Sequence, residues 1–155
     1  MAAHTLTITR IIDAPRAKVY RCWTDPAVIP LWFAPKPWTT SKAETDVRPG
    51  GASNITMRSP EGQDFPNLGI YLDVKPNERL VFTNALSPDW RPVGDAMPLM
   101  FVGEIVLEDA PGGKTKYTAH AHHWTEAAAQ QHEAMGFHEG WGQCAAQLEE
   151  TAKTL

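Results

Sequence analysis

The sequence lacks any long apolar run and any N-terminal targeting signal. Crossing a bilayer takes about 20 consecutive apolar residues, and no stretch of this 155-residue chain approaches that length. The first residues, MAAHTLTITR, do not contain the apolar core that a secretory signal needs. We therefore expect a cytoplasmic protein that has no membrane partner.

Basic charge is also scarce. The 14 Lys and Arg residues are outnumbered by 18 Asp and Glu, which gives a net charge of −4, and they form no basic block. Proteins that bind DNA or RNA gain most of their affinity by neutralising phosphates with clustered Lys and Arg. We therefore expect no nucleic-acid partner.

Cysteine is rare, and the motifs of the common cofactors are missing. Cys22 and Cys144 both fall in segments with a helical pattern, and neither is part of a CxxC motif or a zinc-ligand spacing. We expect both to be reduced and buried. The chain has no phosphate-binding glycine loop, no GxSxG motif and no dinucleotide fingerprint. We expect no cofactor, and the sequence assigns no catalytic residue.

What the chain does contain is a series of alternating apolar and polar segments. Its length fits one domain, which we take to cover residues 1–155. The alternation predicts seven strands, near residues 5–12, 38–48, 51–59, 67–75, 79–86, 98–109 and 114–123. Most connections are short turns, so neighbouring strands should pair antiparallel. The proline-rich segment 87–98 around Trp90 is predicted to be a longer loop.

Helical patterns lie after the first strand and at the C-terminal end. Two short helices should follow residue 15, the first with Val19 and Trp23 on its apolar side and the second ending near Phe33. A long helix is predicted at the end because apolar residues recur at helical spacing, namely Phe137, Trp141, Cys144, Leu148 and Leu155. Gly136 should separate this helix from a shorter piece that Thr125 caps.

Five motifs in this order carry a resemblance to a known family. They are IDAPRAKVYRCWTDP, LWFAP, DVRPGG, GIYLDVKPNERLVFT and FHEGWGQCAAQLEE, and they cover nearly the whole chain. The sequence resembles the START-like (SRPBCC) superfamily, and within it the branch named after the activator of the heat-shock protein ninety ATPase. The resemblance implies an α+β helix-grip fold, in which a seven-stranded antiparallel sheet is gripped around the long C-terminal helix. It also implies a cavity between sheet and helix.

Strand alternation indicates which side chains should face that cavity. In segment 98–109 the residues on the inner face are Leu99, Phe101, Ile105 and Leu107, and in segment 114–123 they are Tyr117, Ala119, Ala121 and His123. His123 has two interpretations. It is either a buried histidine bonded to a backbone carbonyl or a polar group at the cavity mouth that orients a ligand.

The histidines of the stretch HHWTEAAAQQHEAMGFHEGW do not predict a metal site. The pair His132-Glu133 resembles the start of the HExxH motif, but Gly136 stands where the second histidine is needed. His132 and His138 would lie about 120° apart around a helix. His123 could meet His132 only if the first helical piece folds back. We expect no bound metal.

Six tryptophans in a chain of this size are many, and they suit an apolar or aromatic ligand. The predicted ligand-binding residues are Phe101, Tyr117, His123, Phe137 and Trp141 around the cavity, with Trp32, Trp38 and Trp90 near its entrance. The alternative is that these rings fill the core and leave no cavity. Gly140 and Gly142, which flank Trp141, are costly inside a helix and suggest that the helix closely approaches a strand or a ligand there.

Three functions are compatible with the sequence, because fold does not determine function in this superfamily. The first is a binding module for a hydrophobic or aromatic small molecule. The second is a polyketide-cyclase-like enzyme that acts without a metal. The third is a co-chaperone of a heat-shock ATPase. The chain begins at its first strand, without the extra N-terminal domain of a two-domain activator, which argues against the third. A homodimer is compatible with the sequence.

Overall fold

The computed structural model describes residues 4–88, 90–93 and 99–155. Within them, the helices are α1 (Arg16–Thr24), α2 (Glu126–Ala134) and α3 (Phe137–Ala152), with a 3₁₀ turn at Ile29–Leu31. The strands are β1 (Thr5–Ile12), β2 (Thr39–Thr45), β3 (Ser53–Arg58), β4 (Asp64–Asn67), β5 (Ile70–Lys75), β6 (Arg79–Thr83), β7 (Leu86–Ser87), β8 (Arg91–Pro92), β9 (Val102–Ala110) and β10 (Lys114–His122). None of the described helices is long and apolar enough to cross a membrane.

The strands form an antiparallel α+β fold, but the single seven-stranded sheet predicted from the sequence is wrong. The main sheet has five strands in the order β1-β10-β9-β6-β5, and β2-β3-β4 form a separate sheet of three. One bridge, between Ala52 and Ile70, links the two sheets. Backbone hydrogen bonds lie on both sides of this bridge, from the Gly50 N–H to the Tyr71 carbonyl at 2.7 Å and from the Ser53 N–H to the Gly69 carbonyl at 2.9 Å.

Three of the strands were not predicted. β4 contains Pro66, and it pairs only with β3, so the proline sits on an edge where a missing N–H is tolerated. The segment 87–98, predicted to be a loop, contributes to a small hairpin of β7 and β8. Residues 89 and 94–98 of that segment, including the predicted start of the next strand at Pro98, lie outside the described residues.

The helices follow the sequence pattern except for the second short one. Only a 3₁₀ turn forms between residues 24 and 33, where a short helix was expected. The Thr125 hydroxyl caps α2 by accepting a hydrogen bond from the Ala128 N–H at 3.1 Å. Gly136 then adopts a left-handed φ of 95°, which ends α2 and turns the chain into α3. The predicted start of the final helix is confirmed.

The C-terminal helix packs into the core on the inner face of the main sheet. Ala145, Leu148 and Ala152 are buried in one cluster with Leu107 and Tyr117 of the sheet. The predicted alternation holds, since the inner-face residues of β9 and β10 are buried and their neighbours along each strand are more exposed. This arrangement is typical of a helix-grip fold and fixes the sheet and α3 as opposite walls of the interior.

An ion pair ties the outer part of α3 to the first strand. The Arg10 guanidinium donates to Glu149 Oε1 at 2.8 Å, and the Asp13 backbone N–H donates to Glu149 Oε2 at 2.8 Å. One carboxylate therefore holds both the middle of β1 and the turn that follows it. The contact links α3 to the main sheet in addition to the packing of its buried face.

Candidate functional site

A cavity of ≈ 320 Å³ lies between the main sheet, the small sheet, α1, the 3₁₀ turn and α3. Aromatic rings form a large part of its wall, namely those of Trp23, Trp32, Phe33, Tyr71, Phe82, Phe101, Tyr117 and Trp141. Pockets that enclose small organic ligands in proteins begin at about 300 Å³. The space is therefore large enough for a small molecule, and it is bordered by surfaces that favour apolar contact.

The aromatic rings at the inner end hold one another in fixed positions. Trp23 packs against Trp32 with ring centroids 5.0 Å apart and against Phe82 at 5.4 Å. The Trp23 indole N–H donates to the Tyr117 hydroxyl at 3.0 Å, and the Trp32 indole N–H donates to the Cys22 carbonyl at 2.7 Å. Because the edges of both indoles are hydrogen-bonded, this part of the wall is preorganised.

A polar strip runs along one side of the cavity, where β6 meets the segment before β9. Asn84 donates from Nδ2 to the Leu99 carbonyl at 2.9 Å and accepts the Phe101 N–H at 3.0 Å. The Thr83 hydroxyl donates to the Phe101 carbonyl at 2.8 Å. These bonds position Phe101 in the wall, and they give the strip neutral donors and acceptors only.

Among the described residues, no Asp, Glu, Lys, Arg or His lines the cavity. Its ionisable groups are phenols and a thiol, and burial makes them harder to ionise. Burial raises the pKa of Cys144 to about 12 and that of Tyr71 to about 12, and it raises the pKa of Tyr117 as well. The wall is therefore uncharged at neutral pH, and an ionised ligand would find no partner in it.

Gly140 opens the α3 side of the cavity. It belongs to the cavity wall, and a Cβ added there would meet no atom within 4 Å. Gly142 also has open space around it but does not line the cavity. The close approach of α3 to a strand, one of the two explanations that the sequence suggested for these glycines, is wrong. Gly140 leaves room for a ligand instead.

Four of the eight predicted site residues line the cavity, namely Trp32, Phe101, Tyr117 and Trp141. Trp32 does so from the interior rather than from an entrance, since it is only 3% exposed. Its burial follows from the 3₁₀ turn, which directs the ring inward onto Trp23. The role of these residues in binding a ligand stays a prediction.

The other four lie outside the wall. Trp38 packs on Phe65 of the small sheet with ring centroids 5.4 Å apart. Trp90 is 55% exposed and covers Gly50, where an added Cβ would lie 2.8 Å from the indole. His123 and Phe137 sit behind Phe101 and Trp141, away from the open space. Loop aromatics and residues one layer deeper cannot be placed from strand or helix periodicity alone.

Sequence reasoning missed Phe82, which is central to the wall. Phe82 lies on β6 opposite Gly103 of β9. A Cβ added at Gly103 would lie 2.4 Å from the Phe82 ring. The glycine therefore lets the Phe82 side chain lie flat over the neighbouring strand. Period-two alternation from Leu80 would have placed Phe82 on the inner face.

His123 and His132 meet in a buried cluster behind the cavity. His123 Nε2 lies 2.9 Å from His132 Nδ1, so one ring donates to the other. The rings of Phe101, Phe137 and Trp141 surround the pair. Burial lowers the pKa of His132 to about 4 and also lowers that of His123, where the neighbouring Met100 backbone opposes the effect.

The histidine pair is formed because α2 folds back along the sheet. This is the arrangement that the sequence left open for His123 and His132. Within the described ranges, no group of three or more His, Cys, Asp or Glu side chains is arranged to hold a metal ion. The pair links α2 to the end of β10, directly behind two rings of the cavity wall.

Comparison with known proteins identifies the family of this chain. The family model described as "Activator of Hsp90 ATPase homolog 1-like protein" matches residues 13–153. The chain belongs to this family. The match begins in the turn after β1 and ends just beyond α3, so it covers every element of the cavity wall. It supports the START-like resemblance of the sequence.

Solved structures with the same fold match nearly the whole chain. A protein from Nitrosomonas europaea is 40% identical, with a TM-score of 0.93, over 99% of this chain and 97% of that one. A protein from Rhodobacter sphaeroides has a TM-score of 0.85 at 18% identity over 99% and 95% of the two chains. One from Mycobacterium smegmatis has a TM-score of 0.78 at 23% identity over 96% and 90%. The last two show the fold alone. Comparison with functionally curated proteins gives no match.

Proposed function

We propose that this protein binds an uncharged, apolar or aromatic small molecule in the cavity between the main sheet and α3. The observation that carries the proposal is the cavity of ≈ 320 Å³, whose described wall is rich in aromatic rings and holds no charged side chain. Aromatic walls offer large apolar contact areas with defined ring geometry. Membership of a START-like family supports the same function, because the resemblance implies a cavity in this place.

The state of the wall favours binding over catalysis. A polyketide-cyclase-like enzyme, in which cavity shape and one or two polar groups promote the reaction, is the alternative, and a base or nucleophile in the wall would favour it. The Cys144 thiol has a pKa of about 12 because it is buried, and it donates to the Phe33 carbonyl at 3.0 Å. A protonated, hydrogen-bonded thiol is a poor nucleophile. A binder is expected to release its ligand unchanged.

The family description also refers to activation of the Hsp90 ATPase. A chaperone would bind an outer surface of this protein, whereas the cavity and its aromatic rings lie in the interior. The cavity therefore supports small-molecule binding as the function to test first.

The test compares two substitutions on the same helix. Gly140→Leu should place its side chain in the cavity, whereas Gly142→Leu adds the same side chain where no cavity lies. The neutral fluorescent probe N-phenyl-1-naphthylamine should bind the parent protein and the Gly142→Leu variant, and it should bind Gly140→Leu at least about tenfold more weakly. Such a loss corresponds to about 1.4 kcal/mol.

Two results would contradict the proposal. One is a parent protein that does not bind the probe at all, and the other is equal binding by the two variants. Native mass spectrometry of the purified parent protein adds an independent measurement. A co-purified neutral molecule should be lost from Gly140→Leu and kept in Gly142→Leu.

A further inference from the structure

The hydroxyl of Tyr117, a residue of the cavity wall, accepts a hydrogen bond but has no described partner for its own proton. Tyr117 lies on β10, is 2% exposed, and belongs to the wall together with Trp23. The Trp23 indole N–H lies 3.0 Å from the hydroxyl oxygen. An indole N–H can only donate, so this bond uses a lone pair of the phenol oxygen. The phenol proton is left for a second bond.

The described surroundings supply no acceptor for that proton. The thiols of Cys22 and Cys144 belong to the same part of the core as Tyr117. Both are directed elsewhere, Cys144 to the Phe33 carbonyl at 3.0 Å and Cys22 to the Leu148 carbonyl at 4.0 Å. In the part of the chain that the structure describes, Trp23 is the only hydrogen-bond partner of Tyr117.

The geometry around the hydroxyl is also fixed. Trp23 is held by Trp32 and Phe82, and Tyr117 is fully paired in the sheet between β1 and β9. Both rings are buried in one core cluster, which holds the hydroxyl oxygen in the wall. Burial raises the pKa of Tyr117, which keeps it a donor at any physiological pH. A buried donor without a partner is costly, and native structures usually satisfy such groups.

We infer that the cavity is selective for a neutral aromatic ligand that carries a hydrogen-bond acceptor, such as a ketone or ether oxygen, and that Tyr117 donates to it. The inference rests on the proposed function and adds the ligand's chemical class to it. The uncharged wall disfavours carboxylates and amines, the aromatic rings favour a flat molecule, and the free phenol proton selects an acceptor. A hydrocarbon of the same shape would leave that proton unpaired.

Two probes of nearly equal shape separate the contribution of the hydrogen bond to affinity from that of apolar contact. 2-Acetylnaphthalene has a carbonyl where 2-isopropenylnaphthalene has a methylene, and both are neutral. One hydrogen bond to a buried donor should make the ketone bind about fivefold more tightly than the hydrocarbon. The anion 2-naphthoate should bind more weakly than either, because the wall offers it no charged partner.

The assignment to Tyr117 is tested by comparing two tyrosines of the wall. Tyr117→Phe should bring the ketone-to-hydrocarbon affinity ratio close to one, whereas Tyr71→Phe should leave it about fivefold. Using the ratio removes any general loss of affinity or stability in a variant. A ratio that survives in Tyr117→Phe, or that is lost in Tyr71→Phe alone, would overturn the assignment.

A spectroscopic measurement on the parent protein needs no variant. The carbonyl stretch of ¹³C-labelled 2-acetylnaphthalene should move to lower wavenumber when bound, relative to its position in an apolar solvent. If both probes bind equally and the stretch does not move, the inference is wrong and the proposed function stands. If neither probe binds, the proposed function itself fails.

Discussion

Mild acid should destabilise this protein through the histidine pair that joins α2 to β10. His132 is 9% exposed, and burial lowers its pKa from 6.5 to about 4. The unfolded chain therefore binds more protons than the folded one between these two values, so the free energy of unfolding falls as the pH falls through that range. The stability contributed by neutral His132 is fully present above pH 6.5 and is lost towards pH 4.

The size of the effect follows from the same values. The full difference corresponds to at most about 3.5 kcal/mol, since one pKa unit is about 1.4 kcal/mol. Over the step from about pH 7 to about pH 5, and with partial solvent screening, we expect a loss of about 1–2 kcal/mol. His123 adds to it in the same direction, because burial lowers its pKa too and its Nε2 lies 2.9 Å from His132 Nδ1.

Urea denaturation at the two pH values measures this loss directly. His132→Asn keeps an amide in reach of His123 but cannot titrate, so it should remove most of the pH dependence between about pH 7 and about pH 5. His138→Asn is the matched control, since His138 is exposed and pairs with Glu133 at 3.1 Å. If His132→Asn loses as much stability in acid as the parent protein does, the histidine pair is not the acid-sensitive element.

Three further changes test the interior and its supports. Gly140→Ala and Gly142→Ala should each stabilise the ligand-free protein by up to about 1 kcal/mol in thermal melts, because both sites are open and helical; destabilisation at Gly140 would mean that the space is filled. Trp141→Ala should cost less than the roughly 3–5 kcal/mol of a fully packed ring, since Trp141 borders the cavity, and urea midpoints with the full cost would argue for a closed core. Arg10→Met should cost at most about 1 kcal/mol, because the pair with Glu149 is partly exposed; a cost that does not shrink at high salt would contradict an electrostatic origin.

Local sequence patterns determined much of the fold. Alternation placed the buried faces of β9 and β10, since side chains on a strand must point to opposite sides whatever surrounds it. The cap at Thr125 and the left-handed turn at Gly136 were predictable for the same reason, because each depends on one side chain and its neighbours in the chain. Phe101, Tyr117 and Trp141 could be assigned to the interior from such rules.

Only the tertiary structure decided which interior positions border open space and which are packed behind them. Periodicity shows which side of an element a residue faces but not how deep it lies, so it predicted that Phe137 and His123 face the cavity although both pack behind its wall. The partnership of His123 with His132 depends on how α2 folds against β10, and the free proton of Tyr117 depends on a tryptophan that is distant in the chain. Contacts between remote segments set cavity shape and hydrogen-bond pairing, and no single segment of the sequence encodes them.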